Sequence, residues 1–125
     1  MIELLLAGAL WGLLVSAAIV VVKLVLLTYE YLKNAISRKL KDRRTGKVVQ
    51  TMGDAVLKAV ASDPSAVHMS ASDFEKMSNE ISGTYINMAF DENDKVITDL
   101  TDVYKADHVD RGASEQFSKT ILVTN

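Results

Sequence analysis

The 125-residue sequence predicts a mainly α protein: an N-terminal transmembrane helix, a basic juxtamembrane helix, and a small α+β domain of two helices, a β-hairpin and a short strand. Three observations predict it. No charged side chain occurs from Leu4 to Val22. Seven Lys or Arg against one Asp crowd into residues 33–47. The remaining stretch, 48–125, is acidic. In formal charge the three parts carry −1, +6 and −7, so the near-neutral total of −2 hides a polarised chain. The natural division is 1–32 as anchor, 33–47 as basic segment and 48–125 as acidic domain. The absence of Cys excludes a secreted disulfide scaffold.

The run Leu4–Val22 is 19 uncharged residues, which as a helix would cover roughly 28 Å, close to a bilayer's hydrocarbon thickness. Trp11 at one end and Tyr29 and Tyr31 at the other suit interfacial positions, and Lys23 could snorkel to the head groups. A cleaved signal peptide would carry a basic start, whereas here Glu3 stands there, and apolar sequence continues past the small residues Ser16, Ala17 and Ala18. Basic residues stay on the cytoplasmic side of a membrane helix. Lys23, Lys33, Arg38, Lys39, Lys41, Arg43, Arg44 and Lys47 therefore predict a single-pass protein with its N-terminus outside and its C-terminal domain in the cytoplasm.

Within the apolar run, Gly8, Gly12 and Ser16 recur every four residues. Small residues at that spacing let two helix backbones approach closely, so these three mark a helix-packing face. The next segment continues helically: Leu32, Ile36 and Leu40 make a narrow apolar stripe on a basic background, suited to a membrane surface or a neighbouring helix. No aromatic residue is interleaved with the basic ones, which disfavours nucleic acid as a partner.

From Val48 the residues Val48, Val49, Met52, Val56 and Val60 follow a helical period that Asp63-Pro64 ends. Ser72 with Glu75 three residues on reads as a capping box for a helix through Phe74, Met77 and Ile81, closed at Gly83. TYINMAF alternates, DEND has turn chemistry, and KVITDL returns as the second strand of a hairpin. DHVDRGAS reads as a loop and KTILVTN as a last strand.

Chemistry is sparse. His108 with Asp107 and Asp110 could ligate a metal, but three candidates so close together in an acidic tail read more simply as a solvated loop; His68 also falls in a loop. DENDK lacks the length, central Gly and terminal Glu of a calcium-binding EF-hand loop. No nucleotide-binding, hydrolase or zinc-protease motif occurs. The expectation is a non-enzymatic structural or accessory subunit of a larger membrane assembly, without cofactor or metal, whose partners are lipid and other membrane subunits or itself. A membrane-tethered regulatory adaptor is one alternative, ranked after a filament subunit.

The layout of an early acidic residue in an apolar helix, then an amphipathic helix, then a small antiparallel sheet, is similar in outline to type IV pilins. In this chain Glu3 stands closer to the start than the acidic residue of that family. The resemblance implies a filament subunit packed through its N-terminal helix.

Overall fold

The computed structural model describes residues 2–16, 21–63, 65, 68–117 and 121–124, with side chains placed for Leu4–Ser16 and from Val21 to Phe117 within those ranges. The apolar N-terminal run does not form one helix. Helix α1 spans Ile2–Val15 and a turn follows at Ser16, whose hydroxyl donates back to the Leu13 carbonyl at 3.1 Å. Strand β1 (Val21–Leu27) begins at Val21. Its Val21, Val22 and Val25 are β-branched, stiff at χ1, and fit a pleated surface better than a helix.

Next come α2 (Tyr29–Lys41), β2 (Lys47–Met52), α3 (Gly53–Ser62), α4 (Ala71–Ile81) and β3 (Tyr85–Phe90). A 3-10 turn at Thr98–Leu100 leads into β4 (Asp102–Val109), α5 (Arg111–Phe117) and β5 (Ile121–Thr124). The strands form one five-stranded mixed sheet in the order β1-β4-β3-β2-β5. β1 runs parallel to β4, with Val21 opposite Val103 and Leu24 opposite Ala106; the other pairings are antiparallel.

Side chains alternate across the sheet and sort the helices into two outer layers. Val49, Ile86, Met88, Phe90 and Val103 face one way and meet Leu6 and Leu10 of α1, Val56 and Val60 of α3, and Met77 and Ile81 of α4. On the opposite face Tyr104 meets Leu27, Leu32 of α2 and Phe117 of α5. Val48 and Ala89, also on that face, are covered by Ile36 and Leu40.

This architecture corrects the mainly α, membrane-anchored reading. Among the described residues no helix is long and apolar enough to cross a membrane. The single-pass topology, with its outward N-terminus and cytoplasmic tail, falls with that finding. Length and apolarity of Leu4–Val22 satisfied the criterion for a span, but its first part is α1, with one side packed against α3 and α4, and its end is strand. The outline shared with pilins needed an uninterrupted N-terminal helix, and α1 stops at Val15. The amphipathic stripe Leu32, Ile36 and Leu40 packs on the sheet, where a membrane surface was expected.

Further differences are local. Val48–Met52 belongs to β2, between β3 and β5 in the sheet, where the periodicity predicted the start of a helix. Helix α4 is capped by Ser70, whose hydroxyl accepts from the Asp73 N–H at 3.1 Å, two residues before the expected cap. Lys95–Leu100 makes a single bridge, Val96 with Phe90, and then the 3-10 turn; the partner strand for β3 is β4. The stretch read as the loop DHVDRGAS holds the end of β4 and the start of α5. Pro64, Ala17, Ala18, Lys119 and Thr120, which entered the expected helix end, cleavage site and last strand, lie outside the described residues.

Candidate functional site

The two faces of α1 differ. Leu6, Ala7, Leu10 and Leu13 are buried, while Leu5, Gly8, Gly12, Val15 and Ser16 are exposed. A methyl group built on Gly8 or Gly12 would meet nothing within 4 Å. Among the described residues, Gly8, Gly12 and Ser16, expected as a packing face, share an exposed side of α1. Leu5 and Val15, 40% and 68% exposed, bracket the two glycines. A second uncovered apolar element is the edge strand β1, where Val25 and Leu26 are exposed.

The basic residues expected to fix topology are divided among other roles. Lys23 lies exposed on β1, in register with Lys105 of β4. Lys39 is buried and pairs with the Asp102 carboxylate. Arg44 clamps Asp42 at 3.0 Å and Asp99 at 2.8 Å, and Lys47 pairs with Asp94 while lying over the Phe90 ring. Lys33, Arg38, Lys41 and Arg43 are exposed on α2 and the turn after it. The Arg44 clamp holds the Asp42 carboxyl down at about 2, from an ordinary 3.8, and lowers Asp99 as well.

The possible metal ligands separate. Asp107 and His108 are consecutive on β4 and point to opposite faces. Asp110 accepts from the N–H groups of Tyr29 and Ala113, tying the start of α2 to the start of α5. His68 is exposed, at a positive φ of 52°. Among the described residues no three His, Cys, Asp or Glu converge.

Sequence reasoning missed a polar row beneath α2. Gln50 on β2, Asn87 on β3 and Asp102 on β4 are successive register partners across three strands. Asp102 receives Lys39 and, at 2.8 Å, the Tyr104 hydroxyl. Burial pushes that hydroxyl well above the ordinary phenol range, with the Asp102 charge adding to the shift. Gln50 and Asn87 are 1% and 0% exposed, yet the Gln50 Nε2 and both polar side-chain atoms of Asn87 lack a hydrogen-bond partner of normal geometry. A buried polar atom without a partner costs about 1–3 kcal/mol, so such a row calls for an explanation. The available signal was an amide residue, Gln50 or Asn87, within each of two mostly apolar strands, VVQTM and YINMAF.

Beside Gln50 a cleft of about 150 Å³ opens between α2 and α5, walled by Tyr29, Leu32, Lys33 and Ile36 and by Gln116. No protein-family model, curated protein or solved structure matches this chain.

Proposed function

We propose that the chain is a non-catalytic structural or accessory subunit that assembles with a second copy of itself through the uncovered face of α1. One observation carries the reading: α1 is uncharged from Leu4 to Val15 around its whole circumference, yet only one side is buried. A helix apolar all round belongs in an interior. On the open side Leu5, Gly8, Gly12 and Val15 are spaced by three, four and three residues, the a/d spacing of a helix-pairing seam.

The order large–small–small–large is its own complement when reversed. In an antiparallel pair centred on position 10, Gly8 of one copy meets Gly12 of the other, and Leu5 meets Val15. The glycines bring the backbones close, and the flanking side chains close the ends. The helix itself brings no charge to this face; Asp73, Lys76 and Glu80 lie beside its Trp11–Val15 end, and Asp94 and Lys95 beside its Leu4–Ala9 end. The non-catalytic part of the reading is supported by the occupation of Asp42, Asp91, Asp102 and Asp110 in holding turns, a helix start and a buried lysine.

Sedimentation of the wild-type chain and of a Gly8→Gln/Gly12→Gln variant tests the proposal. The expected result is a wild-type dimer and a variant monomer with α1 still helical, since Gln favours the helix over Gly by a few tenths of a kcal/mol or more per site. A wild-type chain that stays monomeric at its highest attainable concentration, or a variant that dimerises equally well, removes the proposal.

A further inference from the structure

Strand β1 ends the sheet on one side, and among the described residues no other strand lies beyond it. Its outward N–H and C=O groups are open to pairing with a further strand. Lys23 is in register with Lys105, and Val25 falls level with Asp107, between the pairs Leu24–Ala106 and Leu26–His108. Side chains alternate, so these four residues share one face of the sheet, where all are exposed and line one shallow depression. Lys23, Lys105 and Asp107 make no ion pair among the described residues. On the other face Val22 and Leu24 are half-buried and Leu26 is 50% exposed.

We infer that β1 pairs antiparallel with β1 of a second copy, joining two five-stranded sheets into one. A two-fold axis normal to the sheet keeps each face on its own side, so odd-numbered residues meet odd and even meet even. Registers centred on Lys23, Leu24 or Val25 keep most of the strand paired. Charge chooses among them. Centred on Lys23, one row reads Lys105, Lys23, Lys23, Lys105, and like charges stand abreast. Centred on Val25, Lys23 stands opposite Leu27, no carboxylate shares its row, and Val21 and Val22 fall out of the pairing.

Centred on Leu24, every residue of β1 is paired and Lys23 stands opposite Val25 of the second copy. Each row then runs from Lys105 and Lys23 to the second copy's Val25 and Asp107, and the axis repeats it in reverse. The Lys23 stem can lie across that Val25 and set its ammonium at that Asp107, two strand spacings or about 10 Å away. On the other face Leu24 meets Leu24 and Val22 meets Leu26, which covers the half-exposed leucine. A lysine on an edge strand ordinarily blunts pairing. Here it selects the one register in which its charge is answered. This edge and the α1 face are different surfaces, so a chain that uses both forms assemblies larger than a dimer in concentrated solution.

The test is a sedimentation-equilibrium concentration series on the full chain carrying Gly8→Gln and Gly12→Gln, so that the α1 face does not contribute. One edge strand makes a small interface, so this parent should be monomeric when dilute and dimerise when concentrated. Lys23→Glu/Lys105→Glu makes each row negative throughout, and Asp107→Lys makes it positive throughout. Each should weaken dimerisation about tenfold or more on its own. Mixed in equal amounts, the two should pair with each other about as well as the parent, because each row again joins opposite charges. Hydrogen exchange of the β1 amides should slow as the parent is concentrated. Where a charge variant does not fold, Val25→Lys takes its place; it sets a lysine opposite Lys23 and should abolish pairing. A parent that stays monomeric at its highest attainable concentration overturns the inference. So does a mixture that associates no better than its components, or association that leaves β1 exchange unchanged. The charge swap reads β1 alone, so its outcome is independent of whether α1 pairs.

Discussion

Lys39 on α2 donates its Nζ to the carboxylate of Asp102 on β4, 63 residues away, and the same carboxylate accepts from the Tyr104 hydroxyl. This contact joins the basic segment to the acidic part of the chain. Arg44 with Asp99 and Lys47 with Asp94 repeat the relationship at the surface. Three of the seven basic residues of 33–47 thus pair with the acidic part within one fold. The basic segment does not lie beside the acidic one as an independent collar; it supplies α2 and the turn into β2, both of which cover or extend the sheet.

The pair predicts an asymmetric mutational response. Lys39→Met strands the Asp102 charge beneath α2 and should cost about 3 kcal/mol, the low end for breaking a buried pair because Asp102 keeps some exposure. Adding Asp102→Leu removes the stranded charge and should return a large part of that loss, less the hydrogen bond to Tyr104. Urea unfolding of the two single variants and the double variant measures the coupling. Additive losses would show that the two residues act separately.

The Asp42–Arg44 clamp predicts an acid-dependent local stability. Asp42 titrates at about 2 in the folded chain against an ordinary 3.8. Its folded-state pKa is lowered, so its contribution is complete above about 3.8 and is lost as pH falls through 2. Arg44→Gln should bring the Asp42 carboxyl resonance back toward 3.8 in an NMR titration. It should also make the pH 4 to 2 limb of the unfolding curve shallower. Both groups are exposed, so added salt should shrink the effect in the wild-type chain.

How far the fold was legible depends on which signal each element carries. Leu32, Ile36 and Leu40, and Phe74, Met77 and Ile81, recur at helical spacing and mark α2 and α4 correctly as helices. Alternation in TYINMAF marks β3. Val48–Met52 misleads because a strand buried on both faces shows no clean alternation, and its Val48, Val49 and Met52 also fit a helix. Leu4–Val22 misleads for a related reason: composition and length describe a membrane span and a buried helix followed by a strand equally well. Only the β-branched cluster at its end distinguishes them. The α1 face is legible because Gly8 and Gly12 are four residues apart in sequence. The row Gln50, Asn87 and Asp102 is not, because strand register alone brings the three together.

Gly53 begins α3 immediately after β2, and a Cβ there would lie 1.9 Å from the Ile81 carbonyl oxygen and 2.6 Å from the Thr84 hydroxyl. Its N–H donates to the Thr84 carbonyl at 2.9 Å, and Asp54 accepts from the Gly83 N–H at 3.1 Å. The corner between β2 and α3 is thus closed directly against the end of α4, where Gly83 sits at φ 70°. Gly53→Ala should force α4 away from this corner and cost about 2–3 kcal/mol. Denaturant unfolding reads the loss, and Gly8→Ala serves as the control. At a concentration low enough to keep the chain monomeric, that second substitution meets open space and should leave stability unchanged or raise it by up to about 1 kcal/mol.

Val25 and Leu27 lie two residues apart on β1, yet their surroundings are opposite: Val25 is 73% exposed and Leu27 is fully buried against Leu32, Tyr104 and Phe117. Leu27→Ala should therefore cost about 3 kcal/mol, through lost burial and the cavity left between α2 and α5. Val25→Lys should change stability by no more than about 0.5 kcal/mol, because the longer side chain extends into solvent. It should also lower concentration-dependent aggregation. Among the described residues β1 is an edge strand whose outer backbone groups face no other strand, and Lys23 is its single charge. A second charge on that edge opposes pairing with another chain's strand. Urea unfolding and light scattering measured on both variants separate the two effects. Equal destabilisation by both substitutions would mean that Val25 is covered, and β1 would then not be the free edge of the sheet.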